Sequence, residues 1–137
     1  GLGSCVAVCL CDPVAKLAGM AHVMLPRSGG GEQNGLAGKY ADTAIPLLVE
    51  GLCRLGAERW RLIAKIAGGA QMLAGSGLGN AFNVGERNVD AVRTALSAAG
   101  LRLASDDTGG NSGRTVQLFV GAGKIVVRTV GGSSREI

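Results

Sequence analysis

Two apolar segments near the start of the chain, separated by a turn sequence, constrain the fold most strongly. Residues 5–11 are rich in β-favouring side chains, and residues 17–25 form a second apolar run. The intervening residues, from Asp12 to Lys16, include Pro13 and are typical of a turn. The sequence therefore predicts an antiparallel hairpin, in which residues whose numbers add up to about 27 or 28 face each other.

This hairpin is predicted to bring a thiol and an imidazole together. Cys5 begins the first segment, and His22, the only histidine of the chain, lies in the second. In the predicted register their side chains meet across the two strands. Because an imidazole can take a proton from a thiol and return it to a leaving amine, these are the two groups that nucleophilic attack on an amide requires at a minimum.

Composition limits the function classes. The 137 residues are enough for a compact domain that needs neither a metal nor a disulfide for its stability. The net charge of +4 comes from basic residues spread along the chain, and aromatic residues make up only 3%, which argues against nucleic-acid binding. No apolar run approaches the roughly 18 residues of a membrane span, and no signal peptide is recognisable. We therefore expect no nucleic-acid partner and no membrane insertion.

The other three cysteines, Cys9, Cys11 and Cys53, are predicted to be free. Cysteines two positions apart on one strand cannot form a disulfide without distortion. The cysteines of the first segment alternate onto one strand face and, with His22, would count as four potential zinc ligands. Structural zinc sites, however, usually take cysteines from a turn rather than from an extended strand. We expect a reducing compartment, no metal and no cofactor.

The rest of the chain alternates helical and extended patterns, which predicts an α/β fold. Apolar residues at helical spacing predict helices over residues 40–55 and 86–99. Residues 27–39 are rich in glycine and polar side chains and are predicted to form a mobile surface loop beside the site. Residues 106–110 are interpreted as a solvated acidic loop, and residues 135–137 as a fraying tail. Strands are predicted over residues 5–11, 17–25, 60–67, 101–105, 114–120 and 124–130.

Six short segments form an ordered pattern over nearly the whole chain. They are Gly3-Ser4-Cys5-Val6-Ala7-Val8, Gly19-Met20-Ala21-His22-Val23-Met24-Leu25-Pro26, Tyr40-Ala41-Asp42-Thr43-Ala44-Ile45, Ala64-Lys65-Ile66-Ala67-Gly68-Gly69-Ala70-Gln71-Met72, Gly85-Glu86-Arg87-Asn88-Val89 and Asp107-Thr108-Gly109-Gly110. This set resembles the signatures of the chemoreceptor glutamine deamidase family, CheD.

The resemblance implies a layered α/β sandwich of mixed, largely antiparallel strands with two main helices, related to bacterial toxin deamidases. It implies a cytoplasmic chemotaxis protein that converts particular receptor glutamines to glutamate and releases ammonia, which is the activity of a protein-glutamine glutaminase. The implied partners are the cytoplasmic helices of chemoreceptors, as substrate, and a CheC-type phosphatase. We expect a single deamidase domain over residues 1–137, with a native segment before Gly1.

The resemblance also assigns roles to individual residues. Cys5 matches the family nucleophile and His22 its base, in agreement with the predicted hairpin. The third catalytic residue of the family is a threonine a few residues before the cysteine, and no residue from Gly1 onward can fill that role. Gly3 and Ser4 are expected to shape the backbone that presents the oxyanion donors.

Two other functions stay open. The chain could act mainly as a regulatory binding module for a CheC-type phosphatase, with catalysis secondary. It could also be a different thiol hydrolase or a transglutaminase-like acyl transferase. Ammonia release from a receptor, with Cys5→Ala as control, separates deamidation from binding alone, and an assay for amine incorporation detects acyl transfer.

Overall fold

A computed structural model describes residues 1–29, 36–72 and 83–137 of the chain. The described residues form two α-helices and the strands of two sheets, and they include no helix that is long and apolar enough to cross a membrane. In chain order the elements are β1 (Val6–Asp12), β2 (Leu17–Val23), α1 (Ala41–Arg54), β3 (Ile63–Gly68), α2 (Val84–Ala98), β4 (Arg102–Thr108), β5 (Arg114–Phe119), β6 (Lys124–Thr129) and β7 (Ser134–Glu136).

The strands form one mixed sheet and one antiparallel sheet. The larger sheet has the order β2-β1-β3-β4, in which β1 is antiparallel to both neighbours and β3 is parallel to β4. Helix α2 provides the crossover between the two parallel strands. The smaller sheet has the order β5-β6-β7. The predicted α/β fold, with largely antiparallel strands and two main helices, is confirmed.

Strand β1 is the centre of the layered core. All its residues are buried, because helices cover one face of the larger sheet and the smaller sheet covers the other. As predicted, both helices pack their apolar faces against the sheet. The helix-side core includes Val6, Val8, Leu10, Ile45, Val49, Leu52, Val92 and Leu96, and the core on the opposite face includes Cys9, Ala67, Ile125 and Val127.

The hairpin forms as predicted, but its register is different. Ala7, rather than Cys5, lies directly opposite His22, so that the numbers of paired residues add up to 29. The shift arises because Asp12 still pairs with Leu17 and only four residues form the connection. The predicted pairing sum of 27 or 28 was therefore wrong.

Parts of two segments that were predicted to lie outside regular structure form strands instead. Asp106 and Asp107 lie in β4, and Arg135 lies in β7. Arg135 Nε donates to Asp107 Oδ2 at 2.8 Å, and the buried Arg114 donates from its Nε to Asp107 Oδ1 at 2.9 Å. Partial burial raises the pKa of Asp107, but these hydrogen bonds and the two positive charges outweigh it and hold that pKa below its usual value. Arginine partners thus replace the water that a solvated loop would need.

The starts of two predicted elements move by two residues or more. The strand predicted over residues 60–67 begins at Ile63, since Arg59–Arg61 forms a short 3-10 helix. The helix predicted over residues 86–99 begins two residues earlier, because the side chain of Asn83 accepts a hydrogen bond from the first turn and caps it.

The loop predicted over residues 27–39 is described in part. Residues 30–35 lie outside the described residues, so its predicted mobility stays a prediction. Ala37–Lys39 forms a short 3-10 helix, and the Lys39 carbonyl accepts hydrogen bonds from the N–H groups of Met24 at 2.8 Å and Leu25 at 3.2 Å. The end of this segment is therefore attached to the end of β2.

Asp12 holds the closed end of the hairpin. Its buried carboxylate accepts hydrogen bonds from the N–H groups of Val14 and Ala15 at 3.0 Å, of Glu58 at 2.9 Å, and from Arg61 Nε at 3.0 Å. Burial raises the pKa of Asp12, but the hydrogen bonds from backbone and arginine outweigh it and lower the pKa to about 2. The charged form is therefore the one that the fold stabilises.

We predict that Asp12→Asn lowers the free energy of unfolding at neutral pH, because Arg61 loses its charged partner. The folded pKa of about 2 lies below the unfolded pKa of about 3.9. The wild-type carboxylate therefore stabilises the fold at pH values above the unfolded pKa. This contribution is lost as pH falls from about 4 towards 2. Urea denaturation should show the wild-type and variant stabilities converging over that range. The exposed substitution Asp90→Asn is the control, and a difference that does not change with pH would contradict the prediction.

Candidate active site

The register of β1 and β2 decides which side chains share a face with His22. Ala7 is the direct partner of His22, and Cys5 lies two residues before Ala7, one residue before β1 begins. If the alternation of faces along β1 is continued to position 5, Cys5 becomes a diagonal neighbour of His22, a relation that places Cα atoms about 7–8 Å apart. No hydrogen bond between the two occurs among the described residues. Their separation by about 4 Å or less stays a prediction.

Cys5 differs from the other cysteines of its strand in accessibility. Cys5 is partly exposed and His22 is exposed, whereas Cys9 and Cys11 are buried. All four cysteines of the chain are free, as predicted. Burial, with a smaller contribution from Cys11, raises the pKa of Cys9 to about 12, so this thiol stays protonated at neutral pH. The described residues contain no cluster of three or more side chains placed to hold a metal ion.

The turn after β3 holds the Cys5 segment by its backbone. Gly69 N–H donates to the Cys5 carbonyl at 2.8 Å, and Ala70 N–H donates to the Gly3 carbonyl at 2.9 Å. Gly68 and Gly69 have φ angles of +117° and +67°, which other residues adopt only under strain. A Cβ atom at Gly68 would lie 2.2 Å from the Cys5 carbonyl oxygen. Glycine is therefore required at position 68 for this approach.

The N-terminal turn of α2 packs closely against the same turn. A Cβ atom at Gly85 would lie 2.5 Å from the carbonyl oxygen of Ala70 and 2.6 Å from that of Gly69. The backbone of the helix is therefore in direct contact with the backbone of the turn. This approach brings the next turn of α2, which carries Asn88, to the ends of β1 and β2.

Asn88 is a polar residue on the apolar face of α2. It is fully buried, and its Nδ2 donates to the carbonyl groups of Ser4 and Met24, each at 3.0 Å. Its Oδ1 has no hydrogen-bond partner among the described residues. From the sequence alone, Asn88 was assigned no role. Its position one turn before Val92, on the buried stripe of the helix, is the signal that would have revealed it.

A second network fixes the residues before Cys5. Leu2 and Arg114 exchange two backbone hydrogen bonds, of 2.6 and 2.8 Å. The Arg114 guanidinium also donates to Asp107 and to the Gly109 carbonyl at 2.8 Å. Gly109 N–H in turn donates to the Gly68 carbonyl at 3.0 Å. The start of the chain, β4, β5 and the turn after β3 are thus held as one unit.

Comparisons with known proteins match this chain over most of its length. A family model described as "CheD chemotactic sensory transduction" matches residues 24–129. The chemoreceptor glutamine deamidase CheD of Thermotoga maritima is 53% identical over 135 residues, which are 98% of this chain and 82% of that protein. The chain belongs to the CheD family. The resemblance that its sequence suggested is therefore confirmed.

Two further CheD proteins are similar to this chain over a comparable share of its length. A probable chemoreceptor glutamine deamidase CheD of Methanococcus vannielii is 50% identical over 127 residues, 93% of this chain and 80% of that protein. One of Caldanaerobacter subterraneus is 45% identical over 131 residues, 96% of this chain and 81% of that protein. Cys5, His22 and Asn88 each lie in one of the six CheD signatures of the sequence.

We predict that Gly68→Ala destabilises the fold, because its Cβ would collide with the Cys5 carbonyl in a strained φ region. The free energy of unfolding should fall by more than about 1 kcal/mol. Gly51→Ala is the matched control, since Gly51 is exposed in α1 with open space around it, and it should raise stability by about 0.5–1 kcal/mol. Equal thermal midpoints for the two variants would contradict the account of Gly68.

Proposed function

We propose that this chain is a chemoreceptor glutamine deamidase, which converts specific receptor glutamine side chains to glutamate and releases ammonia in the cytoplasm. The observation that carries the proposal is the register of β1 and β2, which pairs the only histidine with Ala7, two residues after the partly exposed Cys5. The substrate comes from the relatives, since the Thermotoga maritima protein is named a chemoreceptor glutamine deamidase. The glutamines would lie on the cytoplasmic helices of the receptor.

In the first half of the reaction Cys5 acts as the nucleophile. His22 takes the thiol proton, and Cys5 Sγ forms a bond to the amide carbon Cδ of the glutamine. The electron pair of the C=O bond moves to the oxygen, which then needs hydrogen-bond donors. The backbone N–H groups of Ser4 and Cys5 donate to no acceptor among the described residues, so they are the candidate donors. Gly3 and Ser4 set the direction of these groups.

In the second half His22 acts first as an acid and then as a base. Its proton goes to the amide nitrogen, the C–N bond breaks, and ammonia leaves a thioester on Cys5. His22 then takes a proton from water, and the hydroxide attacks the thioester carbon. The C–S bond breaks, the sulfur recovers its proton from His22, and the carboxylic acid that is released loses its proton to water as glutamate.

The surface beside the dyad is open to a folded substrate. His22 lies between Met20 and Met24 on the edge strand of the larger sheet, and Met72 lies against Gly3. These are the three methionines of the chain, and their exposed fractions are 47, 46 and 56%. Flexible thioether side chains adapt to varied apolar surfaces. A helix that presents a glutamine can therefore approach the site without entering a deep pocket.

We predict that Cys5→Ala and His22→Ala each reduce ammonia release from a purified receptor cytoplasmic fragment by at least about 100-fold. Mass spectrometry of the fragment should show glutamine converted to glutamate only with the wild type. Cys53→Ala, which removes a partly exposed cysteine on α1, is the control and should keep full activity. Undiminished release by Cys5→Ala would reject the proposed nucleophile.

Binding of a CheC-type phosphatase and kinship with bacterial toxin deamidases are part of the same proposal. If the phosphatase binds over the catalytic surface, Cys5→Ala should retain binding while losing catalysis. Calorimetric titration of the variant with the phosphatase tests this. Strong phosphatase binding by a wild-type protein that releases no ammonia would favour the regulatory module instead. Amine incorporation into the receptor in place of ammonia release followed by hydrolysis would favour an acyl transferase.

A further inference from the structure

We propose that Asn88 is a positioning residue for this reaction, because its side-chain amide fixes the strand end that carries Cys5 relative to the strand end that carries His22. The inference rests on the proposed function for its catalytic readout. Asn88 donates to the carbonyl of Ser4, the residue before the nucleophile, and to that of Met24, two residues beyond His22. It therefore joins the two catalytic strands from outside the sheet.

The location of this bridge explains its importance. The β1–β2 ladder ends at the pair Val6 and Val23. Beyond that pair the N–H of Met24 donates to the Lys39 carbonyl rather than to β1. Asn88 spans the gap between the two segments just past this last pair, close to Cys5 and His22. Its two hydrogen bonds take the place of the next backbone pair of the ladder.

Asparagine suits this role better than other residues of its size. The two acceptors are carbonyl oxygens, so the bridging group must offer two N–H donors and carry no negative charge. An aspartate in its place would direct a carboxylate at two oxygens, a leucine would offer no donor, and a serine would offer one. The buried Oδ1 of Asn88 has no partner among the described residues, so the hydrogen bonds of this side chain there are made by its donor side alone.

The test compares Asn88→Leu with Val92→Ala. Val92 is fully buried one turn later on the same helix face and has no contact of this kind, so its variant disturbs the packing of that face without touching the bridge. Displacement of catalytic groups by about 1 Å lowers turnover on the order of 100-fold. We expect Asn88→Leu to lower kcat by about 10- to 100-fold, with KM changed less than about twofold because Asn88 does not touch substrate. Val92→Ala should lower the thermal midpoint but leave kcat near the wild-type value.

A second readout does not depend on deamidation. Alkylation of Cys5 by iodoacetamide, followed by mass spectrometry, should slow several-fold in Asn88→Leu relative to Cys53 in the same molecule, and should not change in Val92→Ala. If Asn88→Leu does not fold, Asn88→Ser tests the positioning role in its place. We expect this variant to lower kcat and the rate of Cys5 alkylation by intermediate amounts. If the wild type releases no ammonia, the proposed function fails and the alkylation rates alone decide the positioning role. Wild-type kcat and wild-type Cys5 alkylation in a folded Asn88 variant would overturn it.

Discussion

Close backbone contact between the turn after β3, the start of β1 and the first turn of α2 determines the site. Gly68 meets the Cys5 carbonyl, and Gly85 meets the carbonyl groups of Gly69 and Ala70, at distances that leave no room for a side chain. The turn after β3 can therefore donate hydrogen bonds directly to the carbonyl groups of Gly3 and Cys5, and Asn88 of α2 donates to that of Ser4. Cys5 lies one residue before β1 begins, so its position depends on a neighbouring turn and helix as much as on that strand.

The two-sided burial of β1 completes this arrangement. A strand covered on both faces cannot shift its register by one residue without exchanging the side chains that pack on each face. The register in turn assigns Ala7 and Cys9 to one face, where both are buried, whereas Cys5, just before the strand, is partly exposed. The same core buries Cys9, whose raised pKa keeps that thiol protonated at neutral pH.

Much of this could be predicted from the sequence because local signals were strong. The hairpin, both helices and the family followed from apolar periodicity, turn residues and ordered motifs. The register was missed because a turn sequence does not state whether Asp12 belongs to the strand or to the connection. Asp107 and Arg135 were misplaced because their pairing joins residues from different strands. Asn88 was missed because its partners are carbonyl groups of distant residues, which no spacing rule connects.

The central claim is that the Cys5 thiol and the His22 imidazole are neighbours on one sheet face. His22 is the only histidine, so its ring gives a single set of signals in an NMR spectrum of the protein labelled on histidine. We predict that Cys5→Ala shifts the His22 ring resonances, whereas Cys53→Ala leaves them in place. Identical His22 resonances in the wild type and in folded Cys5→Ala would contradict the claim.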